Sequence, residues 1–284
     1  MSGRNPSEIW DETVDEGERR LRRGTAGLLS TGIFGGVDVM LAVLALTVVT
    51  GALSVALPEQ IAHIGGSLFF GIGLVTLVIG RSELFTENFL VPVGTVLRRR
   101  ASVLDLARLW AVTMAGNLIG LAVLAAMLTR AGLVPPETWE AAGTLADTID
   151  ERNLLAAFLS AVLAGTVMTL FTWVAHAVEL DVSRIALAML IGFLLAAPSL
   201  NHAIVAAGEV TFGVLAGTAA AADWGTLAWN IPVSVVGNLA GGLGFVTLAR
   251  LLQARGEPGA PDSSGEDGKG PVGVVDGRGR RASV

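Results

Sequence analysis

Residues 71–93 read GIGLVTLVIG-RSELFTEN-FLVPV, and residues 185–208 read IALAMLIGFLLAA-PSLNH-AIVAAG. Each is an apolar stretch of membrane-spanning character interrupted near its middle by a short polar run, Glu83 to Asn88 in the first and Pro198 to His202 in the second. The interruptions occupy matching places in the two halves of the chain. After each comes a further apolar stretch with a shared core, Gly116-Asn117-Leu118-Ile119-Gly120 and Gly237-Asn238-Leu239-Ala240-Gly241. Paired broken helices in a duplicated chain mark a substrate path near the bilayer midplane.

Working outward, six spans emerge: 28–51, 61–97 with a break, 106–128, 154–177, 184–215 with a break, and 231–252. A helix crosses the hydrocarbon with about 20 residues. The second stretch would reach roughly 55 Å as one helix at 1.5 Å per residue, so it must bend or break. Arginine sets the orientation. Arg19, Arg20, Arg22 and Arg23 precede span one, Arg98, Arg99, Arg100 and Arg108 follow span two, Arg184 lies between spans four and five, and Arg250 and Arg255 end span six. The opposite side carries Arg130 and Arg152. The excess of positive charge places both termini in the cytoplasm. Three spans per half is an odd number, so the halves enter from opposite sides. The expected fold is therefore an all-α membrane protein of six transmembrane helices, arranged as two inverted three-helix repeats with helices 2 and 5 broken at mid-membrane, an aquaporin-like architecture.

Composition agrees. The mean hydropathy is +0.64, hydrophobic residues make up 52%, and there are 36 glycines, the profile of a polytopic bundle whose helices approach closely. With no cysteine, disulfides and thiolate metal sites are excluded. Three scattered histidines make a metal site improbable chemistry, and His63 and His176 read as interfacial. We expect no cofactor, no metal and no catalytic residues. No basic surface fits nucleic acid. The N-terminus lacks the apolar core of a cleavable leader. The expected organisation is a cytoplasmic amphipathic segment at 1–23, with Trp10, Val14 and Leu21 on one face, lying at the membrane interface or left as a flexible leader. A transmembrane domain follows at 24–252, then a disordered cytoplasmic tail at 253–284.

The breaks bear the chemistry. Unwound backbone survives in a membrane only where protein covers it or water reaches it. The half-helices after the breaks start near the centre, aiming free N–H groups of Phe85–Glu87 and Leu200–His202 at a common point, a favourable place for a small anion. Thr86 offers a hydroxyl, or simply a cap. His202 is the one histidine deep in a span and a default functional candidate, although buried histidines are also structural donors. Asn201 or Ser199 is suited to cap the second half-helix. Glu83 and Glu87 are possible pore acids, Glu87 being the better placed to meet an arginine. Asp38 faces a protomer contact or a bound polar group. Glycines spaced by four, such as Gly32/Gly36 and Gly237/Gly241, suit close packing inside one protomer.

Leu84-Phe85-Thr86 resembles the loop that interrupts the second helix of the formate/nitrite transporter family. Phe69-Phe70-Gly71-Ile72-Gly73-Leu74, Gly116-Asn117-Leu118 and Asn201-His202 are similar to further segments of that family. The resemblance implies a homo-pentamer with one pore per protomer, closed by apolar constrictions around a chamber with a histidine. Carried over, Phe70 belongs to an outer slit and Leu74 and Leu84 to an inner one. Leu195 stands where an aromatic is usual. Thr86 and His202 are the polar pair between the slits, with Asn201 and Phe85 beside them. Asn201 replaces the usual acid before the histidine, Ala206 replaces an asparagine four residues after it, and the chain's one lysine is Lys269 in the tail. These departures bear on the substrate. The function expected is a channel or transporter, not an enzyme, in the plasma membrane. Its partners are a small inorganic or carboxylate anion, a proton and the lipid bilayer, with the anion protonated at the histidine. The alternatives are a neutral small-solute pore for water, ammonia or glycerol, an intramembrane hydrolase using Ser199 and His202, and a scaffold protein. The first lacks a paired Asn-Pro-Ala signature and the second a Gly-x-Ser-x-Gly motif.

Overall fold

Asn5 accepts the amide of Glu8, whose carboxylate accepts the amide of Asn5 in return, both at 2.9 Å. This reciprocal cap starts helix α1, Pro6–Leu21. A computed structural model describes residues 4–257 of the chain. The elements that follow are α2 (Thr25–Ser54), α3 (Glu59–Ser67), α4 (Gly71–Gly80), a 3₁₀ turn (Phe85–Phe89), α5 (Val91–Leu97), α6 (Val103–Leu128), α7 (Pro136–Asp150), α8 (Leu154–Ala177), α9 (Asp181–Ala196), α10 (Ala203–Ala216), α11 (Trp224–Leu239), a π-helical stretch (Ala240–Thr247) and α12 (Leu248–Arg255). Among the described residues there is no strand.

Five helical stretches are long and apolar enough to cross a membrane: Thr25–Ser54, Glu59–Gly80, Val103–Leu128, Leu154–Ala177 and Trp224–Arg255. α10 is apolar but shorter. Phe34, Val123, Leu163, Leu190 and Phe245 are all exposed on the outside of the bundle, the arrangement a lipid-facing surface takes.

Tight packing comes from glycine. A Cβ on Gly36 or Gly120 would strike the backbone of the opposing helix at Asn117 and Ile33, so α2 and α6 lie backbone to backbone. α8 meets α11 and the π stretch in the same manner through Gly165 and Gly241, against Asn238 and Val162. Gly71 of α4 and Gly192 of α9 face one another, and a Cβ on either would overlap the other helix's backbone. That crossing brings the two interrupted segments together. The spaced glycines thus serve packing within the protomer.

The apolar face of α1 turns inward onto the bundle: Ile9, Trp10 and Val14 pack with Leu90, Trp173, Leu251 and Ala254. The Thr95 hydroxyl donates to Val14 O at 2.8 Å, and Asp11 and Asp15 pair with Arg98 and Arg100. Periodicity revealed the apolar stripe but not its cover. The disordered tail expected from residue 253 begins inside α12, and residues 258–284 lie outside the described residues.

Candidate permeation site

Between Gly80 and Val91, and again between Ala196 and Ala203, the chain leaves α-helical geometry, and its peptide groups need partners elsewhere. Asn117 supplies them for the first segment. Its Oδ1 accepts the Phe85 amide at 2.9 Å, and its Nδ2 donates to Gly32 O at 2.7 Å and Glu83 O at 2.9 Å. Asn238 does the same for the second. It accepts the Ala203 amide at 2.9 Å and donates to Ala161 O at 2.8 Å and Asn201 O at 3.1 Å. Trp110 Nε1 donates to Asn88 O at 2.9 Å and the Thr247 hydroxyl to Phe89 O at 2.9 Å, so the π stretch buttresses the first segment.

These partners decide which amides stay free. Phe85 N–H is taken by Asn117 and Glu87 N–H by Leu84 O, leaving Thr86 N–H without a partner among the described residues. In the second segment the amides of Leu200, Asn201 and His202 are all engaged, contrary to expectation, and so is that of Ala203. The amide there without a partner among the described residues is that of Ile204.

His202, not Asn201 or Ser199, caps α10: its Nδ1 accepts the Val205 amide at 3.3 Å. With Nδ1 accepting, the neutral ring carries its proton on Nε2. Nε2 lies 2.6 Å from the Thr86 hydroxyl. Receiving that proton, Thr86 keeps its own hydroxyl hydrogen to offer elsewhere. Both residues are buried, at 1% and 0% exposure.

The remaining predicted residues divide. Phe70, Leu74, Leu84 and Leu195 are buried members of one apolar core that also contains Phe85. The Phe85 ring meets Phe89 edge-on at 5.0 Å and Trp110 at 6.2 Å. Asn201 turns away from the imidazole into a reciprocal amide pair with Asn230, at 2.8 and 3.0 Å, and also reaches Ala157 O. Glu83, rather than Glu87, meets the arginines. Arg23 binds its carboxylate and Arg20 approaches within 3.9 Å, while Glu87 accepts the Leu84 amide at 3.3 Å. Asp38 accepts from the Ser82 hydroxyl. His176 is tied to Thr172 O at 2.7 Å. His63 Nε2 sits 3.0 Å from Ala196 O and 3.3 Å from Ser199 Oγ.

Ser199 and His63 both line a cavity of about 660 Å³ between the end of α2, α3 and α7. Three carboxylates, Glu59, Glu137 and Glu140, stand around it. At the opposite end Glu16 is held below its usual carboxylate range: burial pushes it up, but Arg20 and Arg19 outweigh that. No group of three or more metal-ligating side chains occurs among the described residues.

One buried acid escaped the sequence reading. Glu209 lies seven residues after His202 on α10 and is 8% exposed. A lone carboxylate in AIVAAGEVTFGVLA was signal enough to single it out.

An all-helical bundle with an apolar exterior and polar groups converging on a buried centre defines a multi-pass membrane protein of the channel class. The family model for formate/nitrite transporters matches residues 7–252, and the chain belongs to that family. It is similar to inner membrane protein YfdC of Escherichia coli (strain K12), 24% identical over 257 residues covering 88% of this chain and 79% of that protein. It is similar also to the uncharacterized transporter YrhG of Bacillus subtilis (strain 168), 25% identical over 261 residues, 89% and 94% of the two chains. A probable formate transporter of Methanothermobacter thermautotrophicus is 35% identical over 129 residues, 44% of this chain and 45% of that one. Among solved structures, an FNT family ion channel superposes with a TM-score of 0.77 at 17% identity, covering 86% of this chain and 98% of the other. A pentameric formate channel with formate bound gives 0.68 at 21%, covering 80% and 96%.

Proposed function

We propose that this protein is a plasma-membrane channel or transporter for small monovalent weak-acid anions of the formate or nitrite type, with both termini in the cytoplasm. In this reading the six spans form two inverted repeats, and the interrupted segments of the second and fifth lie near mid-membrane. The protein assembles as a pentamer with one pore per protomer, as the name of the formate-bound relative says of that channel.

The observation that carries the proposal is the 2.6 Å contact between Thr86 and His202, which joins the two interrupted segments at a buried point beside an unpartnered amide from each. A bare anion in low dielectric costs far too much to cross unaided. The Thr86 hydroxyl and the amides of Thr86 and Ile204 draw it in. His202 takes up a proton from water at Nδ1, releasing the Val205 amide, and the imidazolium then passes its Nε2 proton to the anion, leaving the ring neutral. The neutral acid then crosses the apolar core of Phe70, Leu74, Leu84 and Leu195. Conduction therefore carries a proton with each anion.

Reconstitution in liposomes tests this. Formate, nitrite, acetate, lactate and hydrosulfide are offered at several pH values, with water and glycerol swelling as controls. Uptake of one or more anions, rising with acidity, supports the reading. Swelling with neutral solutes and no anion flux refutes it.

A further inference from the structure

Glu209 and Arg152 form a second buried polar feature, separate from the Thr86–His202 pair. Seven residues along a helix amount to nearly two turns, about 10 Å, and return to almost the same face. Glu209 thus stands on the His202 side of α10, toward the end where α7 and the cavity lie. Its carboxylate makes no hydrogen bond or ion pair with any described residue, although the residue is 8% exposed. A carboxylate left unpartnered within an apolar helix is a functional candidate.

Ala206 and Val210, flanking Glu209 on α10, pack in one cluster with Ile149, three residues before Arg152, which stands just ahead of α8, and the arginine's charge acts on the Glu209 carboxylate. The arginine's Nη2 donates to Ser199 O, so the guanidinium holds the backbone of the second interrupted segment. Its Nη1 is buried and has no partner among the described residues. Guanidinium is a planar fork built to grip carboxylate-like anions. Here one edge is anchored and a buried donor is unused, with the unpartnered carboxylate of Glu209 on the helix packed against α7. Ser199 also lines the 660 Å³ cavity, so this arrangement stands behind the cavity wall.

Other charges packed against α10 are engaged elsewhere. On α7, Asp147 takes the amides of Ala220, Ala221 and Ala222, Asp150 accepts from the Thr226 hydroxyl, and Glu137 and Glu140 line the cavity. Asp38, the one charge on α2, is held by Ser82. α6 carries Asp105 and Arg108 only near its start, and α11 has no charged residue. His202, on α10 itself, is committed to Val205 and Thr86.

We propose that Arg152 and Glu209 form a proton-sensitive loading site for the anion. Ionised, Glu209 neutralises the field of Arg152 and repels an arriving anion. When the carboxylate takes up a proton from water as Glu–COOH, the charge of Arg152 is released to the anion, which takes the unused Nη1. Anion and proton therefore bind together before the anion reaches His202. The proposal rests on the anion-transport reading and adds to it the residues that set affinity.

The test is the KM for formate uptake into proteoliposomes, measured from pH 5.5 to 7.5 with full-length wild type, Glu209→Gln and Arg152→Gln. Wild type should show a KM that rises about tenfold across that range, within the usual strength of coupling between two sites. Glu209→Gln should hold a low KM at every pH. Arg152→Gln should hold a high one. A Glu209→Gln profile superimposable on wild type overturns the proposal while leaving anion transport standing. Absence of any anion uptake by wild type overturns both. Should Glu209→Gln fail to fold, calorimetric proton counting on formate binding decides. About one proton taken up by wild type and lost in Arg152→Gln supports the site. An unchanged count, which His202 alone would give, refutes it.

Discussion

Thr86 and His202 are 116 positions apart in the chain and share a 2.6 Å contact between hydroxyl and imidazole. Thr86→Val keeps the shape and removes the hydroxyl, stranding Nε2 in a buried place. An unsatisfied buried donor costs about 1–3 kcal/mol, and each 1.4 kcal/mol is about tenfold. Formate or nitrite flux in liposomes should fall about tenfold or more, while Thr86→Ser should retain most of it. Full flux in Thr86→Val would mean the contact has no part in conduction.

Asn117 and Asn238 each anchor an interrupted segment by three hydrogen bonds to main-chain groups. Asn117→Leu and Asn238→Leu should each destabilise the protein by about 2–4 kcal/mol, since several buried peptide groups lose their partners at once. Thermal unfolding in detergent measures it, and the two losses should be similar. A shift below 1 °C in either variant would show that the segment holds its shape without its asparagine.

Gly71 and Gly192 permit α4 and α9 to touch along their backbones. Ala at either position inserts a methyl where backbone already lies, an overpacking worth about 1–3 kcal/mol. Gly192→Ala should lower both the unfolding temperature and the flux, because this crossing sets the distance between the two interrupted segments. Gly244→Ala, where a Cβ meets nothing, is the matched control and should behave as wild type.

Asp147 binds the amides of Ala220, Ala221 and Ala222 in the loop after α10. Its carboxyl lies below the usual 3.8: burial pushes it up, but the three N–H donors more than offset that. A depressed carboxylate stabilises the fold above its unfolded value and loses that contribution as pH falls through the folded one. Amide exchange at 220–222 should therefore quicken below about pH 4. In Asp147→Asn it should be fast at every pH. Protection unchanged to pH 2 would contradict the assignment.

The sequence carried the coarse plan because polar runs inside apolar stretches are conspicuous. Glu83 to Asn88 and Pro198 to His202 do coincide with places where helical geometry is lost. The two Gly-Asn cores were visible as a repeat, yet their work was hidden, because an asparagine's partners depend on which backbone is brought beside it. The same limit explains the free amides. Counting from a helix start picks Leu200–His202, but Ser160, Asn238 and local turns occupy those groups and Ile204 is left. The resemblance of Asn201-His202 to one family segment sets Asn201 beside the histidine, whereas its side chain is engaged in an amide pair with Asn230. Exchange of the Glu83 and Glu87 roles has a similar origin, since Arg20 and Arg23 arrive from α1 and the turn after it, whose docking place no periodicity reveals.

The central claim is that His202 passes a proton to the conducted anion, and the direct measurement is paired formate and proton entry into liposomes holding wild type or His202→Phe. Wild type should take up both in equal amounts, faster at acidic pH, while folded His202→Phe falls to near background for each. Equal formate flux in the two proteins, with or without accompanying protons, would contradict the account.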